Sequence, residues 1–166
     1  MRRELYPAER QILEALSNAC APLYDDREQS GRVWTRAVKE SLAALGRGYG
    51  FRAFFSGEED NAEWLWDMTW LDVAENWERF QGVYLACEVE WHAELSEHLH
   101  DFMKLVVAEA KYRLFVCQVQ DSEAWITERF QVLMDASAEV TGKRFLVIGV
   151  PWTKPKGTLP HLAWTT

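Results

Sequence analysis

Long apolar runs, paired cysteines and glycine-rich nucleotide loops are all missing from this sequence. Its 166 residues contain no apolar stretch approaching the roughly 18 residues that a membrane-spanning helix needs. The opening MRRELYPAER is basic, but no apolar stretch follows it, so no secretory signal is expected there. Cysteine occurs three times, at Cys20, Cys87 and Cys117, far apart and with no Cys-x-x-Cys pair. That pattern argues against a disulfide framework, and reduced thiols in a cytoplasmic protein are the expectation. There is no Gly-x-Ser-x-Gly elbow, and GRGYGF follows a helical pattern instead of a strand, so it reads as a cap and turn. Basic residues are nearly absent from one part of the chain: residues 53–101 hold 13 Asp or Glu against 1 Lys or Arg. With a formal net charge of −8, broad nonspecific adhesion to nucleic acid is disfavoured.

What is present is an ordinary globular balance, 48% apolar and 27% charged, unusually rich in Trp with nine. One domain over 1–166 is expected, with 1–31 as an N-terminal helical extension and a core over about 32–150. Apolar spacing predicts a helix over 7–20, started by Pro7, and then a turn-like APLYDDREQSG. A second helix is expected from Arg32 to Leu45, with Gly46 at its C-terminal cap. YGFRAFFS, EWLWDMTWLDV and GVYLACEVEW read as three strands, with GEEDN as the first turn; the second and third strands are expected to be antiparallel neighbours. A helix over about 95–110, a strand YRLFVCQV, a helix over 122–139 capped by Ser122, and a strand RFLVIGVPW complete the pattern, with a short edge strand in the tail. The later strands should arrive by right-handed helical crossovers. The expected fold is α/β, a mixed central sheet of antiparallel meander plus crossover strands, flanked by helices.

Acids in the middle strands carry the functional question. In YLACEVEW, Glu88 and Glu90 lie two apart and so share a strand face, while Val83, Leu85, Cys87, Val89 and Trp91 would share the other. In EWLWDMTW, Asp67 would share its side with Leu65 and Thr69, and Trp64, Trp66, Met68 and Trp70 would take the opposite one. Propensity and burial both disfavour acids at such positions. Three readings stand: a solvated sheet face, ion pairs with Lys or Arg, or a bound cation shared by Asp67, Glu88 and Glu90. Oxygen-only donors select a hard ion, magnesium or manganese. His92, His98 and His100 crowd the next helix beside Asp101, but none has the i, i+4 spacing of a helical zinc motif.

The order helix, meander, helix, strand, helix, strand, with Asp67 in LWDMTW and Glu88 in CEVEW, resembles the PD-(D/E)XK nuclease, or restriction-endonuclease-like, superfamily. EVEW followed by DFMKL is also similar to small bacterial members with an E-x-E-W and D-F-x-K-L pattern. The resemblance implies a metal-dependent nuclease in which Asp67, Glu88 and Glu90 hold magnesium or manganese. The family's Lys on the third strand is replaced here by Glu90; some members draw it from the following helix, which makes Lys104 the substitute. A helical wheel puts Lys104 about 150° from its apolar stripe, toward solvent. Lys111 is a weaker substitute. The family's helix-borne Glu would be Glu40, although its place at the edge of the apolar stripe favours an exposed partner of Arg36.

Arg32, Arg36 and Lys39 follow an i, i+4, i+7 rhythm and, with Arg47 and Arg52, are the residues expected to track a nucleic-acid backbone, DNA in particular. An ordinary solvated helix face is the alternative. Trp34, Trp66, Trp70 and Trp125 are expected in the core, and Trp77 in a loop where it could stack a base. Two further functions fit the same residues. A catalytically impaired member would bind a protein or nucleic acid, and an acidic inhibitor would imitate the charge of DNA. A homodimer is compatible with each, and no membrane partner is implied.

Overall fold

The computed structural model describes residues 4–27, 30–56, 64–74 and 77–166. The expected turn at 57–61 and the residues at 75–76 lie outside them. The elements are α1 (Pro7–Asp25), α2 (Gly31–Gly48), β1 (Arg52–Phe55), β2 (Met68–Val73), β3 (Phe80–Glu90), α3 (Leu95–Val107), β4 (Ala110–Val119), α4 (Glu123–Ala136), β5 (Arg144–Pro151) and β6 (His161–Thr165). Among the described residues the strands form one open sheet in the order β1-β2-β3-β4-β5-β6. The first three strands are an antiparallel meander, β3, β4 and β5 run parallel, and β6 returns antiparallel. This is the mixed α/β sheet the sequence predicts. No helix of the described residues is long and apolar enough to cross a membrane.

Each face of the sheet is covered by helices. Ile12, Leu13 and Leu16 of α1 and Trp34, Val38 and Leu42 of α2 pack on Trp70, Leu85, Cys87, Leu114, Val116 and Ile148. Phe102, Leu105 and Val106 of α3 and Phe130 and Leu133 of α4 pack on Ala86, Phe115, Cys117, Phe145 and Val147. Central strand β5 and most of β4 are therefore buried on both sides, which is why β5 reads as a continuous apolar run. Helix α1 is tied to β5 by a buried ion pair in which both oxygens of Glu9 accept from Arg144, each at 2.6 Å. All three cysteines are free and buried, and burial pushes their thiols above the ordinary range, Cys20 to about 12.

Several local expectations are corrected by packing. Helix α1 does not stop at Cys20 but runs through Pro22 to Asp25. Pro22 sits in the last turn, where it forfeits a single intrahelical bond, while Leu23 and Tyr24 pack on the core. In α3, His98 occupies the buried stripe and Leu95 and Met103 are exposed. Between β2 and β3 the register passes from Trp70↔Leu85 to Leu71↔Val83, leaving Tyr84 as an extra residue in a bulge. The bulge sends Val83 to the α3 face, away from Leu85, Cys87 and Val89. Segment 64–67 precedes β2 and does not alternate, so Trp66 also packs on the α3 side.

Gly46 is not a cap either, because α2 continues to Gly48. A Cβ at Gly46 would lie 2.7 Å from the ring of Trp70, which is fully buried and stacked against Phe51 and Tyr84. Gly46→Ala should therefore destabilise, since overpacking by about 1–3 kcal/mol outweighs the roughly 1 kcal/mol that Ala gains in a helix. Urea unfolding should show a lower midpoint at unchanged slope, and a midpoint equal to or above the parent would contradict this packing.

Candidate active site

One acidic side chain just ahead of β2 and one near the carboxyl end of β3 are each held by a lysine from a different helix. Asp67 is the residue just before β2. Pairing of β2 with β3 ends at Met68↔Cys87, and the Asp67 carboxylate continues it by accepting from the Val89 amide at 2.9 Å. Its other oxygen accepts from Lys39 Nζ at 3.0 Å. Lys39, on α2, is 2% exposed and also donates to Ser56 Oγ at 3.1 Å. This ammonium is inside the fold because it is paired and hydrogen-bonded there.

Glu88 lies on β3 facing α3 and is 3% exposed. Its Oε2 accepts from Lys104 Nζ at 3.2 Å, and the same ammonium is 2.7 Å from Asp101 Oδ1. Burial raises the Glu88 carboxyl to about 8, with the negative charge of Asp67 pushing the same way and Lys104 opposing. Lys104 does not neutralise Glu88 fully, because it is shared with Asp101 and its side chain is 44% exposed. Burial works against the charge of Lys104, but its bonds to Asp101 and Glu88 outweigh that and hold its pKa above the ordinary value. The charges thus run Lys39, Asp67, Glu88, Lys104, Asp101 through the sheet from α2 to α3.

The other expected site residues are placed differently. Glu90 Oε1 accepts from the His92 amide at 2.6 Å and lies 2.7 Å from His92 Nδ1, so Glu90 is turned to the end of its own strand. That bond, with the charge of Glu90, raises the pKa of His92. Glu40 is exposed, and its neighbour Lys39 is the α2 residue that turns inward. Lys39 is thereby removed from the exposed stripe expected with Arg32 and Arg36, which are both exposed. Lys111 lies over the Tyr84 ring at 4.8 Å. His98 is buried with Nδ1 at 2.9 Å from Arg129, and burial followed by the Arg129 charge lowers its pKa to about 4. Among the described residues no three His, Cys, Asp or Glu side chains converge on one metal position. Trp34 and Trp70 are buried, Trp66 and Trp125 half-buried, and Trp77 is 52% exposed with Arg52 stacked on it at 4.8 Å.

Sequence reasoning missed Lys39 and Asp101 as members of this group. The available signal was that Lys39 lies three residues before Leu42 and four before Ala43, on the flank of the buried stripe of α2. No protein-family model matches the chain, and no curated protein matches it in sequence.

The raised Glu88 sets a pH dependence of stability. Its carboxyl holds a proton more tightly in the folded protein than in the unfolded chain. Its contribution is therefore full below about pH 4.5 and is lost as pH rises through about 8. Glu88→Gln should remove that loss, gaining roughly 3–5 kcal/mol on the parent between pH 5 and 9 in denaturant unfolding. A constant difference across that range would show that Glu88 is ionised throughout.

Proposed function

We propose that this chain is a metal-dependent phosphodiesterase acting on nucleic acid, of the restriction-endonuclease-like class. The observation that carries the reading is the ammonium of Lys104 at 3.2 Å from Glu88, beside a second carboxylate, Asp67, on the preceding segment. The element order from α2 through β4 supports it as well, with the first acid ahead of the second meander strand and the second acid on the third. Ligands of open α/β sheets bind beyond the carboxyl ends of parallel strands, and Glu88 lies at that end of β3.

The donor set fits a hard ion. Magnesium is commonly bound by one or two carboxylates and keeps several waters. Asp67 and Glu88 offer two, and the upward shift of Glu88 comes first from burial and then from the negative charge of Asp67, both of which a bound cation would offset. When bound, the ion would acidify a water and polarise the scissile phosphate. Asp67 is held by the Val89 amide and Lys39, so its carboxylate is positioned before any ligand arrives. Glu88 would have to give up its proton to hold a cation. Lys104, on the more open side, supports the charge that develops on the phosphoryl oxygens. Arg32 and Arg36 are exposed on α2 and supply backbone contacts.

A second reading, a catalytically impaired member of the same class that binds a partner, is favoured by the pairing of each carboxylate with its own lysine. Calorimetric titration with MgCl2 or MnCl2 separates the two. On the first reading, binding at pH 7 releases protons, as shown by different heats in buffers of different ionisation enthalpy, and Asp67→Ala and Glu88→Ala abolish it. Supercoiled, linear and single-stranded DNA should be cleaved with either metal. Lys104→Met should lower the cleavage rate roughly 10²–10³-fold while metal binding persists. Absence of binding and of cleavage with both metals would leave the impaired reading.

A further inference from the structure

An exposed cluster of aromatic rings lies on the same face of the sheet as Glu88, toward the edge formed by β1. Phe54 pairs with Thr69, and Thr69 with Ala86, which packs on the α3 side. Directly paired residues share a face, so Phe54 stands on that side too, and Glu88 follows two residues beyond Ala86 on it. The Phe54 ring is 6.4 Å from Trp64 and 5.8 Å from Trp77, and Trp64 is 6.0 Å from Phe80. These pairs meet at 53°, 56° and 86°, so no ring lies flat on the next. Trp64, Trp77 and Phe80 are 43%, 52% and 54% exposed. Arg52 stacks on Trp77, and Arg79 is exposed in the same loop. Trp77 has a φ of 64°, a left-handed conformation that a bulky side chain rarely adopts. Trp66, two residues after Trp64, donates to the Lys104 carbonyl at 3.4 Å, which links the cluster to the helix that supplies Lys104.

We infer that these rings are a stacking platform for the unpaired bases of a nucleic-acid strand, which makes the substrate single-stranded. The inference rests on the phosphodiesterase reading and names the form of nucleic acid that the site takes. Three features select that occupant. Half-exposed rings that do not cover one another offer separate faces, and unpaired bases stack on such faces whatever their sequence. In a duplex those faces are already stacked within the helix. Charge points the same way. Residues 53–101 hold 13 Asp or Glu against 1 Lys or Arg, so attraction to the phosphates of a duplex is weak here. Stacking does not depend on that attraction, and Arg52 and Arg79 are the cations beside the rings. The third feature is direction. The rings share a face with Glu88 and connect through Trp66 to α3, so a strand laid on them leads to the carboxylates. The strained backbone of Trp77 belongs to a side chain that is largely outside the core, so core packing is not what it serves.

The test is fluorescence anisotropy with a labelled twelve-nucleotide oligothymidylate and a labelled blunt duplex, on the full chain in EDTA, so that binding is read without cleavage. The single strand should bind at least roughly tenfold tighter than the duplex. Its affinity should fall less than about tenfold between 50 and 200 mM NaCl, as one or two phosphate contacts allow. Trp77→Ala and Phe80→Ala should each weaken it roughly tenfold with the thermal unfolding transition retained, and Trp77→Phe should keep most of the affinity. In magnesium, single strands should be cut faster than linear duplex, and Trp77→Ala should shrink that difference. Single-strand binding that both alanine variants weaken, with no cleavage in either metal, sustains the platform and removes the phosphodiesterase reading. Cleavage that treats both forms of DNA alike and ignores both variants overturns the platform and leaves the phosphodiesterase reading in place. Equal affinity for strand and duplex, or no affinity for either, overturns it as well. So does self-association that Trp77→Ala abolishes, with no oligonucleotide bound, because a second copy of the chain is then the occupant.

Discussion

The pairing of two carboxylates, Glu88 buried and Asp67 half-buried, with two lysines from opposite sides of the sheet is the constraint around which this protein is arranged. An acid on a strand covered by helices on both faces would not stay ionised without a cation or a set of donors near it. Lys39 enters from α2 and Lys104 from α3, so each helix is registered to the sheet by a charge as well as by its apolar stripe. The two pairs are not equivalent. Asp67 is held by a backbone amide and by an ammonium that is itself buried. Glu88 is buried and has only a share of a half-exposed ammonium to offset that burial, and so it keeps its proton to about pH 8. The imbalance makes Glu88 the responsive member of the group and Asp67 the fixed one.

The backbone around the site serves that arrangement. β2 stops at Met68, and the side chain of Asp67 replaces the next rung of the ladder on Val89. Further along the same pair of strands, the bulge at Tyr84 changes which residues face α3, so the far end of β3 packs out of phase with the end that carries Glu88. Gly46 allows α2 to approach the sheet closely enough to seat on the Trp70 ring, on the helix that also carries Lys39. At the far edge, β6 closes the sheet on one side only, which leaves the groove against α4.

Much of this was legible in the residues themselves. Apolar periodicity located the helices, strands and meander, because burial on one stripe or on alternate positions leaves a period that can be read without coordinates. Asp67 and Glu88 stood out because an acid within an aromatic or aliphatic strand conflicts with its neighbours. The element ends were less legible. Pro22 and Gly46 carry strong local signals for termination, and both were overridden by tertiary packing. Lys104 was placed toward solvent by the helical wheel, which ignores the reach of a four-carbon stem that can fold back to a neighbouring carboxylate.

By itself, the order of residues determined the alternation of elements, the two-sided burial of β5, and the unusual position of two acids in the middle of the chain. Those properties depend on spacing within a segment, and spacing is local. Tertiary structure alone decided that Lys39 and not Glu40 turns inward, that Lys104 reaches Glu88, and that Glu90 turns to His92. Those outcomes depend on where separate segments come to lie against one another, and a charge settles on whichever partner the packing brings within a few ångströms.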